Sequence, residues 1–181
     1  MSKIKYKRIL LKLSGEALQG EEGFGIDPSI LSSICDEIKA AHTLGVEVAI
    51  VVGGGNFLRG ADLIQYNFNK VASDQIGMLA TTMNAIAIED MLSSKGVKVK
   101  HLSPFNIKPI CDTYNFREAN NLLESTVLVF SGGTSNPFCT TDSAACLRGV
   151  ECNVDIVLKG TKVDGIYTKD PVKFADAVKY D

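Results

Sequence analysis

Short apolar runs and helix-period stripes alternate along this chain. Arg8–Leu13 reads as a short buried strand. Asp27-Pro28 then starts a helix, with the carboxylate as N-cap and proline at the first helical position. Ile30, Leu31, Ile34, Ile38 and Ala41 recur at helical spacing, and Gly45 stops the helix. Val46–Val52 is an apolar run rich in β-branched residues, as expected of a strand covered on both faces. A long helix is predicted from Ser73 to Ser94, with Gly96 behind it. Val97–Leu102 reads as the next strand, Phe116–Leu123 as a helix and Val127–Phe130 as a strand. Asp142–Gly149 opens another helix, and Val154–Leu158 is one more strand.

Strand and helix in alternation imply right-handed crossovers. They predict an α/β fold, a three-layer αβα sandwich with a mostly parallel central sheet. Ligands of such sheets bind beyond the carboxyl ends of the strands. The informative loops are therefore those after Leu13, Val52, Phe130 and Leu158, all rich in Gly, Ser, Thr or Lys.

Bulk composition narrows the function classes. The 181 residues suffice for one domain with a sizeable core. Nineteen Lys and Arg stand against 21 Asp and Glu, which argues against a nucleic-acid binder with a broad basic surface. The first apolar run, Ile9-Leu10-Leu11, is too short for a leader or a membrane span. Five cysteines, Cys35, Cys111, Cys139, Cys146 and Cys152, form no CxxC pair and are odd in number, so reduced thiols and a cytosolic address are expected. There is no solenoid repeat and no low-complexity tract.

Five segments carry chemistry. Lys12-Leu13-Ser14-Gly15-Glu16 can set one ammonium and several backbone N–H groups around phosphate oxygens; the bland alternative is a tight turn with a solvated lysine. It is not a Walker A loop. In Gly53-Gly54-Gly55-Asn56 three glycines leave no side chain between backbone and ligand, and Arg59 follows to grip phosphate bidentately. A flexible turn is the alternative. Asp74 reads either as a helix cap or as an acceptor for ribose hydroxyls. The residues behind it, Met78, Leu79, Ala80, Met83 and Ala87, read as core.

The polar run Thr134-Ser135-Asn136-Pro137-Phe138-Cys139-Thr140-Thr141 suits a base edge and an α-phosphate at a helix start. Asp142 reads as an ordinary cap, as an organiser of two lysines, or as a partial Mg²⁺ ligand. Thr161, Tyr167 and Asp170 can line an adenosine pocket, with a plain hairpin as the alternative. His42 and His101 show no partner pattern.

In order and spacing these segments resemble the bacterial UMP kinases of the amino acid kinase superfamily. The resemblance rests on Lys12–Leu18, Gly53–Asn56, Gly77-Met78-Leu79-Ala80-Thr81, Pro137–Ala145 and Lys162–Pro171, and covers essentially the whole chain. It implies one amino acid kinase domain over 1–181, with a UMP-binding lobe roughly over 1–150 and the start of an ATP-binding lobe roughly over 151–181. It implies transfer of the ATP γ-phosphate to UMP in pyrimidine nucleotide biosynthesis, with ATP and Mg²⁺ as cofactors. Lys12, Asp142 and Arg59 would be catalytic. Lys12, Leu13, Ser14, Gly15, Gly55, Arg59, Thr161, Tyr167 and Asp170 would hold ATP. Gly54, Asp74 and the run Thr134, Ser135, Asn136, Pro137, Phe138, Cys139, Thr140 and Thr141 would hold UMP. Gly20, Glu21, Glu22, Gly23, Phe24 and Gly25 match a stretch tied to activation by GTP. The family further implies GTP and UTP as effectors and a homohexamer built from dimers; with the charge balance and short apolar runs above, neither nucleic acid nor membrane is expected as a partner. Its members continue beyond Lys179-Tyr180-Asp181, so the expectation is of a chain shortened at its C-terminus, with its ATP side incomplete. The rival readings are a superfamily kinase with an aspartate, glutamate or carbamate acceptor, and a nucleotide-binding regulator without chemistry.

Overall fold

The computed structural model describes residues 4–58, 63–160, 165, 167–169, 171 and 174–180. Six parallel strands form one sheet: β1 (Arg8–Leu13), β2 (Glu47–Val52), β3 (Val99–Ser103), β4 (Asp112–Thr113), β5 (Val127–Phe130) and β6 (Ile156–Gly160), in the order β4-β3-β5-β2-β1-β6. Four helices accompany them among the described residues: α1 (Pro28–Thr43), α2 (Lys70–Ser94), α3 (Phe116–Leu123) and α4 (Thr141–Glu151). The predicted layering is present. Strand side chains alternate between two cores. Val48, Ile50, Val52, Val127 and Val129 pack with α1 and α2, through Leu31, Cys35, Ile38, Ala85, Ile88 and Leu92. Leu10, Ala49, Val51, Leu128 and Phe130 pack with α3 and α4, through Ala119, Leu123, Ala144 and Ala145.

Local signals set the helix ends. The Asp27 side chain accepts from the N–H groups of Ser29 and Ile30, with Pro28 at the first helical position. Gly45, at φ +94°, turns the chain out of α1 into β2. The long helix begins at Lys70, not Ser73, because Asn69 is its cap and accepts from the Val71 N–H. Asp74 therefore lies a turn inside α2 and does not cap it. Likewise Thr140, not Asp142, caps α4, by accepting from the Ser143 N–H.

Two further differences have physical causes. Glu47 interrupts the run Val46–Val52, and its buried carboxylate is paired with Arg8 and Lys7. Burial pushes that carboxyl up, but the two cations outweigh it and hold it below its usual range. Strand β4, only two residues long, escapes period-based reading and forms the sheet edge against β3.

Candidate active site

The carboxyl ends of β1, β2, β5 and β6 meet one face of the molecule. Lys12 on β1 lies directly opposite Lys159 on β6 in the parallel register. Two ammonium groups side by side repel each other, and the first turn of α4 resolves this. Asp142 Oδ1 is 2.8 Å from the Lys12 Nζ, and its Oδ2 accepts from the Lys159 Nζ at 2.9 Å. The Lys12 contact is an ion pair rather than an aligned hydrogen bond. Lys12 is buried, at 7% exposure, whereas Lys159 is exposed. Burial pushes the Asp142 carboxyl up, yet the Lys12 and Lys159 ammonium groups win and hold it below the usual carboxylate range. Both Asp142 oxygens thus face lysines, and the cap position of α4 belongs to Thr140.

Beside this cluster lies a cleft. Gly54, Gly55, Asp74, Thr134, Cys139, Thr140 and Thr141 line it together. The same wall includes Leu58, Ser73, Gly77, Met78, Thr81 and Gly133, which sequence reasoning did not assign. Met78 is thus more than core, whereas Leu79 and Met83, expected in the core, lie on the exposed side of α2. One small or polar position per helical turn, Asp74 then Gly77 then Thr81, was the available signal, masked by the apolar residues between them.

The outer part of the polar run projects from the cleft. Ser135 and Phe138 adopt left-handed backbone, at φ +64° and +66°, which non-glycine residues enter only when the surroundings enforce it. The Ser135 hydroxyl donates to the Thr134 carbonyl, and the Asn136 N–H donates to Thr134 Oγ1 at 3.2 Å. The Phe138 N–H donates to Asp74 Oδ2 at 2.8 Å. Asp74 also pairs with Lys70, one turn back on α2. The Lys70 bond first, and then the Phe138 N–H, hold the Asp74 carboxyl below its usual range. Lys70 stands 5.9 Å from the centre of the exposed Phe138 ring. Pro137 continues this outer turn.

The glycine triplet has a packing reason beside the predicted one. A Cβ at Gly54 would meet the Ala80 Cβ at 2.8 Å and the Gly77 carbonyl oxygen at 2.9 Å. A Cβ at Gly15 would meet Asn56 Oδ1 at 2.4 Å and the Gly55 nitrogen at 2.7 Å. Close packing of loop on helix and loop on loop thus demands these glycines, while Gly55 has room on its cleft side. Leu13 is buried in the core, and Ser14 precedes a 3₁₀ turn, Gly15–Ala17.

Gly20, Glu21, Glu22 and Phe24 line a separate depression with the start of α1. Phe24 meets Phe57 edge to face at 5.9 Å, and Gly23 and Gly25 take left-handed backbone. Tyr167 forms an antiparallel bridge with Lys179. Arg59, Thr161 and Asp170 lie outside the described residues.

Two buried polar links went unseen in the sequence. His101 Nε2 is 2.7 Å from Ser131 Oγ, and Thr81 Oγ1 accepts from the Gly132 N–H at 2.7 Å. Both fasten the strand end from which the polar loop departs.

Comparison with known proteins agrees with this geometry. The model of the amino acid kinase family matches residues 7–181. A uridylate kinase of Actinobacillus pleuropneumoniae is 60% identical, over 99% of this chain and 76% of its own length. A uridylate kinase of Pasteurella multocida is 59% identical over 99% of this chain and 75% of its own length. Among solved structures, a UMP kinase from Bacillus anthracis superposes with a TM-score of 0.91 at 35% identity, over 97% of this chain and 73% of that one. A UMP kinase from Ureaplasma parvum gives 0.89 at 30% identity, over 98% of this chain and 76% of that one. The chain belongs to the amino acid kinase family, on its uridylate kinase branch.

Proposed function

We propose that this chain transfers the γ-phosphate of ATP to UMP, giving UDP and ADP. The observation that carries the reading is the Lys12–Asp142–Lys159 cluster set one residue beyond Thr141, at the rim of a cleft lined by Gly54, Asp74, Thr134 and Thr140. The acceptor is a phosphate, already anionic at neutral pH, and needs no general base. Catalysis is then positioning and charge neutralisation of an in-line transfer. Lys12 neutralises the transferring phosphoryl group, Lys159 is the second cation, and Asp142 keeps both aimed. Leu13, Ser14, Gly15 and Gly55, with Arg59, attend the ATP phosphates. Thr161, Tyr167 and Asp170 attend adenosine. Gly54, Asp74 and the run Thr134–Thr141 attend UMP. In this reading roughly 1–150 is the UMP side and 151–181 the start of the ATP side.

Mg²⁺ accompanies ATP. Among the described residues no three His, Cys, Asp or Glu side chains gather to hold an ion, and both Asp142 oxygens face lysines. Among these residues the donor set does not suit a protein-held cage, and the ion would take ATP oxygens and water as its ligands, as its hydration favours. Copies of the chain associate, as a homohexamer built from dimers. Supporting this, Ile76, Leu79, Met83 and Ile86 make an exposed apolar stripe along α2. GTP and UTP are the proposed effectors, with Gly20–Gly25 as the responsive loop. The address is the cytosol; no helix among the described residues is long and apolar enough to cross a membrane.

An acceptor panel tests the reading. With ATP and Mg²⁺, the chain is offered UMP, CMP, aspartate, glutamate and carbamate. Preferential formation of UDP supports it. Equal use of CMP, or phosphorylation of an amino acid, overturns it.

A further inference from the structure

Asn84 stands in the middle of α2 with no exposed surface, among residues that pack the core. Its amide is fully used. Asn84 Nδ2 donates to Asn56 Oδ1 at 2.7 Å and to the Gly53 carbonyl at 2.7 Å, while its Oδ1 accepts from Asn56 Nδ2 at 2.9 Å. Asn56, 2% exposed, carries the arrangement outward: its Nδ2 donates to the Gly25 carbonyl at 2.8 Å, and its own carbonyl accepts from the Gly25 N–H at 2.9 Å. A buried reciprocal amide pair of this kind is costly unless fully satisfied, and a satisfied one fixes a single geometry.

The consequence lies in the glycine triplet. The Gly53 N–H donates to the Leu13 carbonyl, and its C=O is held by Asn84, so this residue is pinned from both sides. In a planar trans peptide the C=O and the next N–H point in opposite directions. With the Gly53 carbonyl tied to α2, the Gly54 N–H is aimed away from that tie. Neither the Gly54 nor the Gly55 N–H has an acceptor among the described residues, and both residues line the cleft.

We propose that Asn84, paired with Asn56, is a positioning residue that sets the Gly53–Gly54 peptide so that the N–H groups of Gly54 and Gly55 stand ready for phosphate oxygens of a nucleotide. The inference rests on the UMP kinase reading of the cleft. It extends the site to a helix residue that touches no ligand.

Two isosteric variants separate positioning from mere stability. Asn84→Asp and Asn56→Asp each bury a carboxylate in the same pair. Only Asn84→Asp removes the donor to the Gly53 carbonyl. UMP affinity is measured by titration calorimetry at pH 8, with Ile88→Val as a core-weakening control one turn away. Hydrogen exchange at the Gly53 N–H is followed on the ligand-free proteins. The expected result is a UMP dissociation constant raised at least tenfold in Asn84→Asp, about threefold or less in Asn56→Asp, and unchanged in Ile88→Val. Exchange at the Gly53 N–H, which is bonded to the Leu13 carbonyl, rises at least tenfold in Asn84→Asp alone. Equal effects of the two Asp variants on affinity and exchange would overturn the proposal. If the unmodified chain fails to bind UMP, the reading of the cleft falls, and the exchange measurement still decides the role of Asn84.

Discussion

The Asp74 carboxylate and the Phe138 N–H are joined across the mouth of the cleft at 2.8 Å, 64 residues apart in the chain. This bond links α2 to the polar loop, and the left-handed Phe138 backbone is its counterpart. A charge-assisted bond of this kind contributes about 1.5–3 kcal/mol. Asp74→Ala is expected to weaken UMP at least tenfold, and Asp74→Asn, which keeps an acceptor for Phe138, by less. Calorimetric titration of the two variants checks the order; equal losses would show that the bond to Phe138 contributes nothing.

His101 carries a pH dependence. Desolvation by burial lowers its pKa from the ordinary 6.5 to about 4. The folded state therefore holds fewer protons than the unfolded one between those values. Stability present above pH 6.5 is lost as pH falls toward 4, by up to about 3 kcal/mol. Glu89, whose Oε2 lies 4.0 Å from His101 Nδ1, adds a pH dependence of its own, because burial pushes its carboxyl up. The comparison must therefore be differential. His101→Gln is expected to flatten the urea-unfolding stability between pH 7 and 4.5 relative to the parent. An unchanged slope would remove His101 as its cause.

Two glycines near the cleft are expected to respond in opposite directions. Gly54→Ala drives a methyl into Ala80 and the Gly77 carbonyl, and overpacking of this kind costs about 1–3 kcal/mol. Gly77, within α2, has open space where a Cβ would stand, so Gly77→Ala gains about 0.5–1 kcal/mol of helix stability. In thermal melts the first lowers Tm and the second raises it, at about 2–4 °C per kcal/mol. A Gly54→Ala protein as stable as its parent would contradict the packing assigned to the triplet.

Much of the fold was legible because its signals are local. The Asp27-Pro28 cap, the β-branched run of β2 and the Gly45 stop announce themselves within a few residues. Asp74 misled for the same reason: an acid near a helix start looks like a cap, while the actual cap, Asn69, sits five residues earlier. The site was legible where loops follow strand ends. It was not legible where buried polar contacts span the chain, as in His101 with Ser131 or Asn84 with Gly53, since no periodicity marks a pairing set by tertiary packing. The triplet shows a third case, a residue type on which close packing makes its own demand.

The stripe Ile76, Leu79, Met83 and Ile86 predicts self-association through α2. Leu79→Lys combined with Met83→Lys changes exposed positions only, which costs a monomer little. Sedimentation is expected to show smaller assemblies with unchanged circular dichroism. Unaltered assembly size would place the interface elsewhere.

The account turns on Lys12, buried, held by Asp142 and facing Lys159 across the ladder. Removing one preorganised charge from a desolvated site costs roughly 10²–10³ in rate. The decisive measurement is kcat alongside the UMP dissociation constant for Lys12→Ala. The account predicts a loss of turnover of about that size with UMP affinity within about threefold of the parent. Equal loss of both, or no loss of turnover, would contradict it.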